Sequence, residues 1–161
     1  MLWSGLNLDR PLCHNRAILT EVDFALDGKM RELEVLASEV SRFCQGNGLS
    51  SDVEFDLNLV LEELFTNSLR HGGCEGMEEA AHVRLRSSPE GVLVEFADRG
   101  VAFDPLGAPE PDTGASLADR PDGGFGIQFV RQVMRDLEYR RADGWNRLTM
   151  RRAGAGKGQG E

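Results

Sequence analysis

Cysteine is scarce in this chain, and none of it is spaced for chemistry. Cys13, Cys44 and Cys74 are odd in number and widely separated, with no Cys-x-x-Cys among them. That pattern argues against a disulfide framework and a structural zinc site, and for a reducing compartment. Long apolar runs are missing too. No segment approaches the roughly 18 apolar residues of a membrane span. The opening MLWSGLNLDR lacks the basic start and apolar stretch of a signal peptide. The expectation is a soluble, cytoplasmic protein without a membrane partner. Basic charge is in deficit, with 18 Lys and Arg against 27 Asp and Glu and a net charge of −9. Nucleic-acid binding, which relies on neutralising phosphates, is disfavoured. A phosphate-binding Walker A loop is also absent. The tail Gly154-Ala155-Gly156-Lys157-Gly158 imitates one, but Gly158 stands where Ser or Thr is required and no helix follows. There is no internal repeat.

What remains is a length of 161 residues, suited to one domain with one core. Residues 17–26 are partly alternating and β-branched, and predict a first strand that Asp27-Gly28 ends. Between residues 29 and 45, Met30, Leu33, Leu36, Ala37, Val40, Phe43 and Cys44 recur at helical steps. Gly46-Asn47-Gly48 closes that helix. Ser51-Asp52-Val53-Glu54 reads as a capping box, with Ser51 as N-cap, for a second helix reaching about residue 70. Residues 82–86 and 92–97 predict a hairpin. Residues 98–122 are rich in Gly and Pro and lack periodicity, a length that marks a functional or disordered loop. Gly123-Gly124-Phe125-Gly126 then leads into a helix over 127–135. Residues 137–141 and 146–150 form a last hairpin around Ala142-Asp143-Gly144. The Gly-rich stretch 153–161 reads as a disordered tail. The expected fold is a two-layer α/β sandwich. Its mixed, largely antiparallel sheet is covered on one face by about three helices. The domain is expected over residues 1–152, with its core over 17–152.

The second helix is the most informative segment. Leu57, Val60, Leu61, Leu64 and Phe65 share an apolar sector at roughly 100° per residue. Glu63, Asn67 and His71 follow one another at four-residue steps, along one face. Asn67 falls at the edge of the apolar sector, where a side-chain amide needs a partner or a cleft. Glu62 points elsewhere and reads as a surface acid. Two further islands stand out. Asp98-Arg99-Gly100-Val101-Ala102-Phe103-Asp104-Pro105 begins where a strand ends. Gly123-Gly124-Phe125-Gly126 ends where a helix begins, and glycines there let backbone N–H groups approach an anion. Each island has an ordinary reading by itself: a turn after a strand, a loop, a solvated Glu, a capping His. Phe103, Phe125 and Phe129 read first as packing residues.

Order and spacing together change those readings. Glu-x-x-x-Asn-x-x-x-His-Gly, Asp-x-Gly-x-x-Phe-Asp-Pro and Gly-Gly-x-Gly-Ile precede a final hairpin with Asn146-Arg147-Leu148. The set resembles the GHKL (histidine-kinase-like) ATPase superfamily, which has the Bergerat ATP-binding fold. Within it, the chain is most similar to the anti-sigma factor serine/threonine kinases of bacterial partner-switching systems. The resemblance runs from about residue 17 to 152. It implies that ATP and Mg²⁺ are the cofactors, that Glu63 is the general base and that Asn67 is a Mg²⁺ ligand. It implies that Asp98 accepts a hydrogen bond from the adenine amino group, with Gly100 beneath the base. Gly124 and Gly126 would bring backbone amides to the phosphates, and Gly123 opens the same nucleotide-binding box. Phe103 and Phe125 lie inside the two glycine boxes, and His71 and Thr149 lie near the nucleotide. Residues 104–122 would form a lid. Ala102 departs from the pattern, standing where many members have a third glycine.

The function so implied is a protein kinase that phosphorylates a small STAS-type anti-sigma-factor antagonist and sequesters a sigma factor or similar target. A homodimer is compatible with the resemblance. The alternative is a nucleotide-gated binding module of the same fold with little or no kinase activity. The ATPase half of a histidine kinase fits poorly, because His14, His71 and His82 are the chain's histidines and none sits on a long dimerisation helix.

Overall fold

A computed structural model describes residues 21–107 and 124–154. The elements run β1 (Glu21–Leu26), α1 (Glu32–Gly46), α2 (Ser51–Arg70), β2 (Ala81–Ser88), β3 (Gly91–Asp98), α3 (Gly124–Val133), β4 (Arg135–Ala142) and β5 (Trp145–Ala153). The five strands form one sheet in the order β1-β2-β3-β5-β4. Every neighbouring pair is antiparallel. The expected sandwich is therefore present, with a sheet that is wholly antiparallel rather than mixed. No parallel crossover is needed, because β2–β3 and β4–β5 are hairpins and β3 pairs directly with β5. The β4–β5 turn uses Asp143 (φ 53°) and Gly144 (φ 81°), the two left-handed residues that a tight hairpin turn demands.

The core forms where α2 meets the sheet. Leu57, Val60, Leu61 and Phe65 are fully buried, and Leu64 and Leu69 nearly so. They pack with Val83, Leu85, Val94, Phe96, Leu148 and Met150 from alternate positions of the central strands. Each such side chain contributes about 1.5–3 kcal/mol on burial. α2 also lies against α1 and α3. Asp56 of α2 pairs with Arg152 at the end of β5 at 2.7 Å, fixing the helix along the sheet.

Several boundaries differ from the sequence reading; α3, for one, ends at Val133 and β4 begins at Arg135, inside the expected helix. Ser50, not Ser51, is the N-cap of α2: Ser50 is extended (φ −71°, ψ 159°) and its Oγ accepts from Val53 N–H at 3.4 Å. Ser51 is already helical, so the Ser51–Glu54 capping box does not form. α3 begins at Gly124, so Gly124 and Gly126 belong to its first turn instead of a loop before it. β5 continues to Ala153, one residue into the stretch read as tail. Residues 17–20 of the expected first strand, most of the expected lid and residues 155–161 lie outside the described residues.

Backbone contacts between loops close the side of the molecule behind α2. Gly28 N–H donates to Met77 O, and Gly76 N–H to Gly28 O, each at 2.7 Å. A Cβ on Gly28 would overlap the backbone oxygen of Cys74. Gly28→Ala therefore forces two backbones apart, and is expected to lower stability by about 1–3 kcal/mol. Urea unfolding should show a lower midpoint at unchanged slope.

Candidate functional site

The C-terminal half of α2 forms one wall of the site. The burial of Val60 and the helical spacing decide which polar groups face outward: with Leu61, Leu64 and Phe65 in the core, Glu63 and Asn67 sit half-buried at its edge and Glu62 is exposed. The two adjacent acids thus separate as the sequence suggested. Helix α2 ends at His71, the C-cap, whose N–H donates to Asn67 O at 2.9 Å. The His71 side chain is exposed. Gly72 follows at a place where a Cβ would meet Ser68 O at 2.6 Å.

The second wall is the loop after β3, and it is joined to the end of α2. Val101 N–H donates to Gly72 O at 3.0 Å. Gly100 sits above Gly72, and a Cβ on it would meet Asp98 Oδ1, Gly72 O and Gly72 Cα, all within 3.1 Å. Asp98 turns this loop, its Oδ1 accepting Gly100 N–H at 2.7 Å. Phe103 is 55 % exposed, as is Val101 at 63 %, so both lie on the rim rather than in the core.

The third wall is the first turn of α3. A Cβ on Gly126 would overlap the Glu63 carboxylate, with Oε2 its nearest neighbour. A side chain at position 126 would push the Glu63 carboxylate aside from the start of α3. The first N–H groups of a helix have no partner within it, so this turn offers donors beside a carboxylate. Gly123 lies outside the described residues, as does the Phe125 side chain. Arg131, two turns along α3, donates Nη2 to Pro105 O and Leu106 O, each at 2.9 Å. α3 therefore holds the start of the segment read as a lid.

Thr149 is placed apart from these walls. Strand alternation turns Asn146, Leu148 and Met150 toward the helices, so Thr149 faces the other way. It lies between Glu95 and Glu138 on the charged face of the sheet. There Arg84 pairs with Asp23 at 2.6 Å and Arg147 approaches Glu95 at 4.0 Å.

The residue that the sequence reading undervalued is Asn146. Only its place in a family pattern pointed to it. The structure buries it at 7 % exposure. Its Nδ2 donates to Asp98 Oδ1 and Val101 O, each at 2.9 Å. Its Oδ1 accepts from Tyr139 Oη at 2.8 Å and Arg141 Nη1 at 2.9 Å. The same Arg141 nitrogen donates to Gly100 O at 2.7 Å.

Comparison with known proteins gives the family. The chain matches the histidine kinase-like ATPase domain family over residues 27–152, and it belongs to that family. It is 38 % identical over 101 residues to serine/threonine-protein kinase BtrW of Bordetella bronchiseptica, an alignment spanning 63 % of this chain and 71 % of that protein. The fold is also similar to the crystal structure of the RsbU and RsbW domains of Rv1364c from Mycobacterium tuberculosis. There the TM-score is 0.61 at 12 % identity, over 84 % of this chain and 32 % of the other. The chain thus has the fold of a histidine kinase-like ATPase domain. Among the described residues, no helix is long and apolar enough to cross a membrane.

Cys74 lies buried beside the loop that begins at Asp98. Burial, and then the Asp98 charge, push its thiol up to about 11. Cys44, buried in the core, is likewise pushed up to about 11. At pH 8 only about one such thiol in a thousand is ionised, and the thiolate is the reactive form. In a Cys13→Ser background the native protein is expected to resist a thiol-specific chromogenic reagent at pH 8. Rapid labelling of Cys74 alone would show that the Asp98–Gly100 loop opens in solution.

Proposed function

We propose that this chain is an ATP-dependent protein serine/threonine kinase that works by partner switching. It phosphorylates a small STAS-type anti-sigma-factor antagonist on Ser or Thr, and in the unphosphorylated partner's absence sequesters a sigma factor or similar target. The observation that carries this reading is the approach of Glu63 to the bare backbone of Gly126. That approach sets an acid beside the unpaired N–H groups of a helix start, the arrangement a transferred phosphoryl group needs. The kinase relative at 38 % identity supports the same reading.

ATP fits the three walls. Asp98 offers an acceptor to an amino group, Gly100 a surface without a side chain, and the first turn of α3 a set of N–H donors. Among the described residues no cluster of three or more His, Cys, Asp or Glu side chains could hold a metal ion. Mg²⁺ would therefore rest on Asn67 Oδ1, waters and phosphate oxygens, a mode it commonly adopts with nucleotides. Bound ATP would supply the γ-phosphoryl group, and Mg²⁺ would offset its charge. The chain's own groups do the rest. Asp98 and Gly100 orient the base, and the first turn of α3 orients the phosphates. Glu63, held near them by α2, takes the proton from the acceptor hydroxyl as that oxygen attacks. Arg131 keeps the lid root on α3 while this happens. A homodimer and a cytoplasmic location belong to the same reading.

The test uses purified protein, labelled ATP and candidate antagonist domains, with mass mapping of the phosphosite. Glu63→Gln is expected to slow transfer by about 10²- to 10⁴-fold while ATP affinity stays within about threefold of wild type. Gly126→Ala, which crowds both the acid and the helix start, is expected to weaken binding and transfer together. Wild-type transfer by Glu63→Gln would end the general-base assignment. Tight ATP binding without transfer to any partner would favour the nucleotide-gated module.

A further inference from the structure

Asn146 has four strong bonds and four places in which to make them. A side-chain amide has two N–H donors and two acceptor lone pairs. The donors go to Asp98 Oδ1 and Val101 O, each at 2.9 Å. The lone pairs take Tyr139 Oη at 2.8 Å and Arg141 Nη1 at 2.9 Å. Two weaker contacts share these places: Nδ2 to Gly100 O at 3.4 Å and Phe103 N–H to Oδ1 at 3.3 Å. The amide's orientation follows from its neighbours. A flipped amide would set its oxygen against a carboxylate and two carbonyls, and its N–H groups against the donors Arg141 and Phe103 N–H.

The consequence falls on Asp98, which faces Asn146 in the β3–β5 register. Oδ1 of Asp98 is occupied twice, by Gly100 N–H at 2.7 Å and by Asn146 Nδ2 at 2.9 Å. Oδ2 takes no hydrogen bond from a described residue. Asn146 also draws the Val101 oxygen and, more weakly, the Gly100 oxygen toward itself. Arg141 holds the Gly100 oxygen as well, at 2.7 Å. Asp98 Oδ1, Gly100 O and Val101 O are thereby engaged, and Oδ2 is the Asp98 oxygen left to a ligand.

We infer that Asn146 is a positioning residue for purine selection: it holds Asp98 so that Oδ2 accepts from a 6-amino group and repels a 6-oxo group. The inference rests on the reading above, in which Asp98 meets the base. An ionised carboxylate only accepts. An amino-purine pairs with it, whereas an oxo-purine sets oxygen against oxygen and leaves a buried charge unpaired. A carboxylate free to rotate would yield to the oxo-purine, by turning away and admitting water. Selection therefore depends on what holds Asp98.

The experiment measures the affinities of ADP and of inosine diphosphate, which differ at that position in presenting NH₂ or O. Wild type is expected to prefer ADP. In Asn146→Ser the preference should fall by about tenfold or more, chiefly through weaker ADP binding. Tyr139→Phe, which removes one donor to Oδ1 and leaves both Nδ2 bonds, should keep the preference. A purely structural role would weaken both nucleotides alike and leave their ratio unchanged. An unchanged ratio in folded Asn146→Ser overturns the inference and leaves the kinase reading standing. Wild-type protein that binds neither nucleotide removes both. If the variant does not fold, the unmutated protein decides. The Asn146 side-chain amide resonances should move on saturation with ADP and not with inosine diphosphate, and equal movement with both overturns the inference.

Discussion

The structure depends on the burial of one helix face. Leu57, Val60, Leu61, Leu64 and Phe65 of α2 must all meet the sheet. That single demand sets the rotation of the helix about its axis. Once rotation is set, Glu63 and Asn67 have one place to be, at the border between core and solvent. A rotation that moved Glu63 into water would expose Leu64 or Phe65, at about 1.5–3 kcal/mol for each. The acid is positioned by hydrophobic packing rather than by an ion pair. Among the described residues no salt bridge to Glu63 is found.

Glycine is what allows other segments to approach that helix. Gly100 meets Gly72 backbone to backbone, and Gly126 leaves room for the Glu63 carboxylate. Neither has a positive φ. Their glycine requirement is spatial, not conformational, unlike that of Gly144 in the last hairpin (φ 81°). A glycine box in this chain is thus a record of close approach. Each box names a surface of α2: the first lies on its C-terminal end and the second on the turn that carries Glu63.

This explains what could be read without coordinates. The helices and strands were legible because burial is periodic, and α2 was clearest because its apolar sector is unbroken. The separation of Glu62 from Glu63 followed from angle alone. Local hydrogen bonding was less legible. Ser50 and Ser51 are adjacent and chemically identical, and only the extended backbone of Ser50 decides which one caps. The start of α3 was misplaced because glycine is a poor helix former, and the propensity argument began the helix at residue 127, three residues too late in the chain. Thr149 and Asn146 lie three residues apart on one strand, so they face opposite sides. Choosing between them required knowing which face of β5 meets the helices, and Arg147 and Arg151 alternating with Leu148 and Met150 carried that signal. Charged residues on the odd positions assign Thr149 to the outer face.

The two ends of the site are built by different means. The end at Asp98 is held by side chains from two strands, Tyr139 and Arg141 of β4 and Asn146 of β5, and by the backbone bond from Val101 to Gly72. Apart from Asp98 Oδ2, the groups named here are paired before any ligand arrives, so binding there orders little and costs little conformational entropy. The end at Gly126 has helix N–H groups and a carboxylate, and among the described residues Arg131 ties α3 to the neighbouring segment through Pro105 O and Leu106 O. Under the proposed reading, the prebuilt end selects the base and the other end answers to the phosphates. Loss of the γ-phosphate then changes the contacts near Arg131 and leaves the base where it was. Such a division lets a nucleotide stay bound while the surface around α3 changes with its phosphorylation state, which is what a partner switch requires.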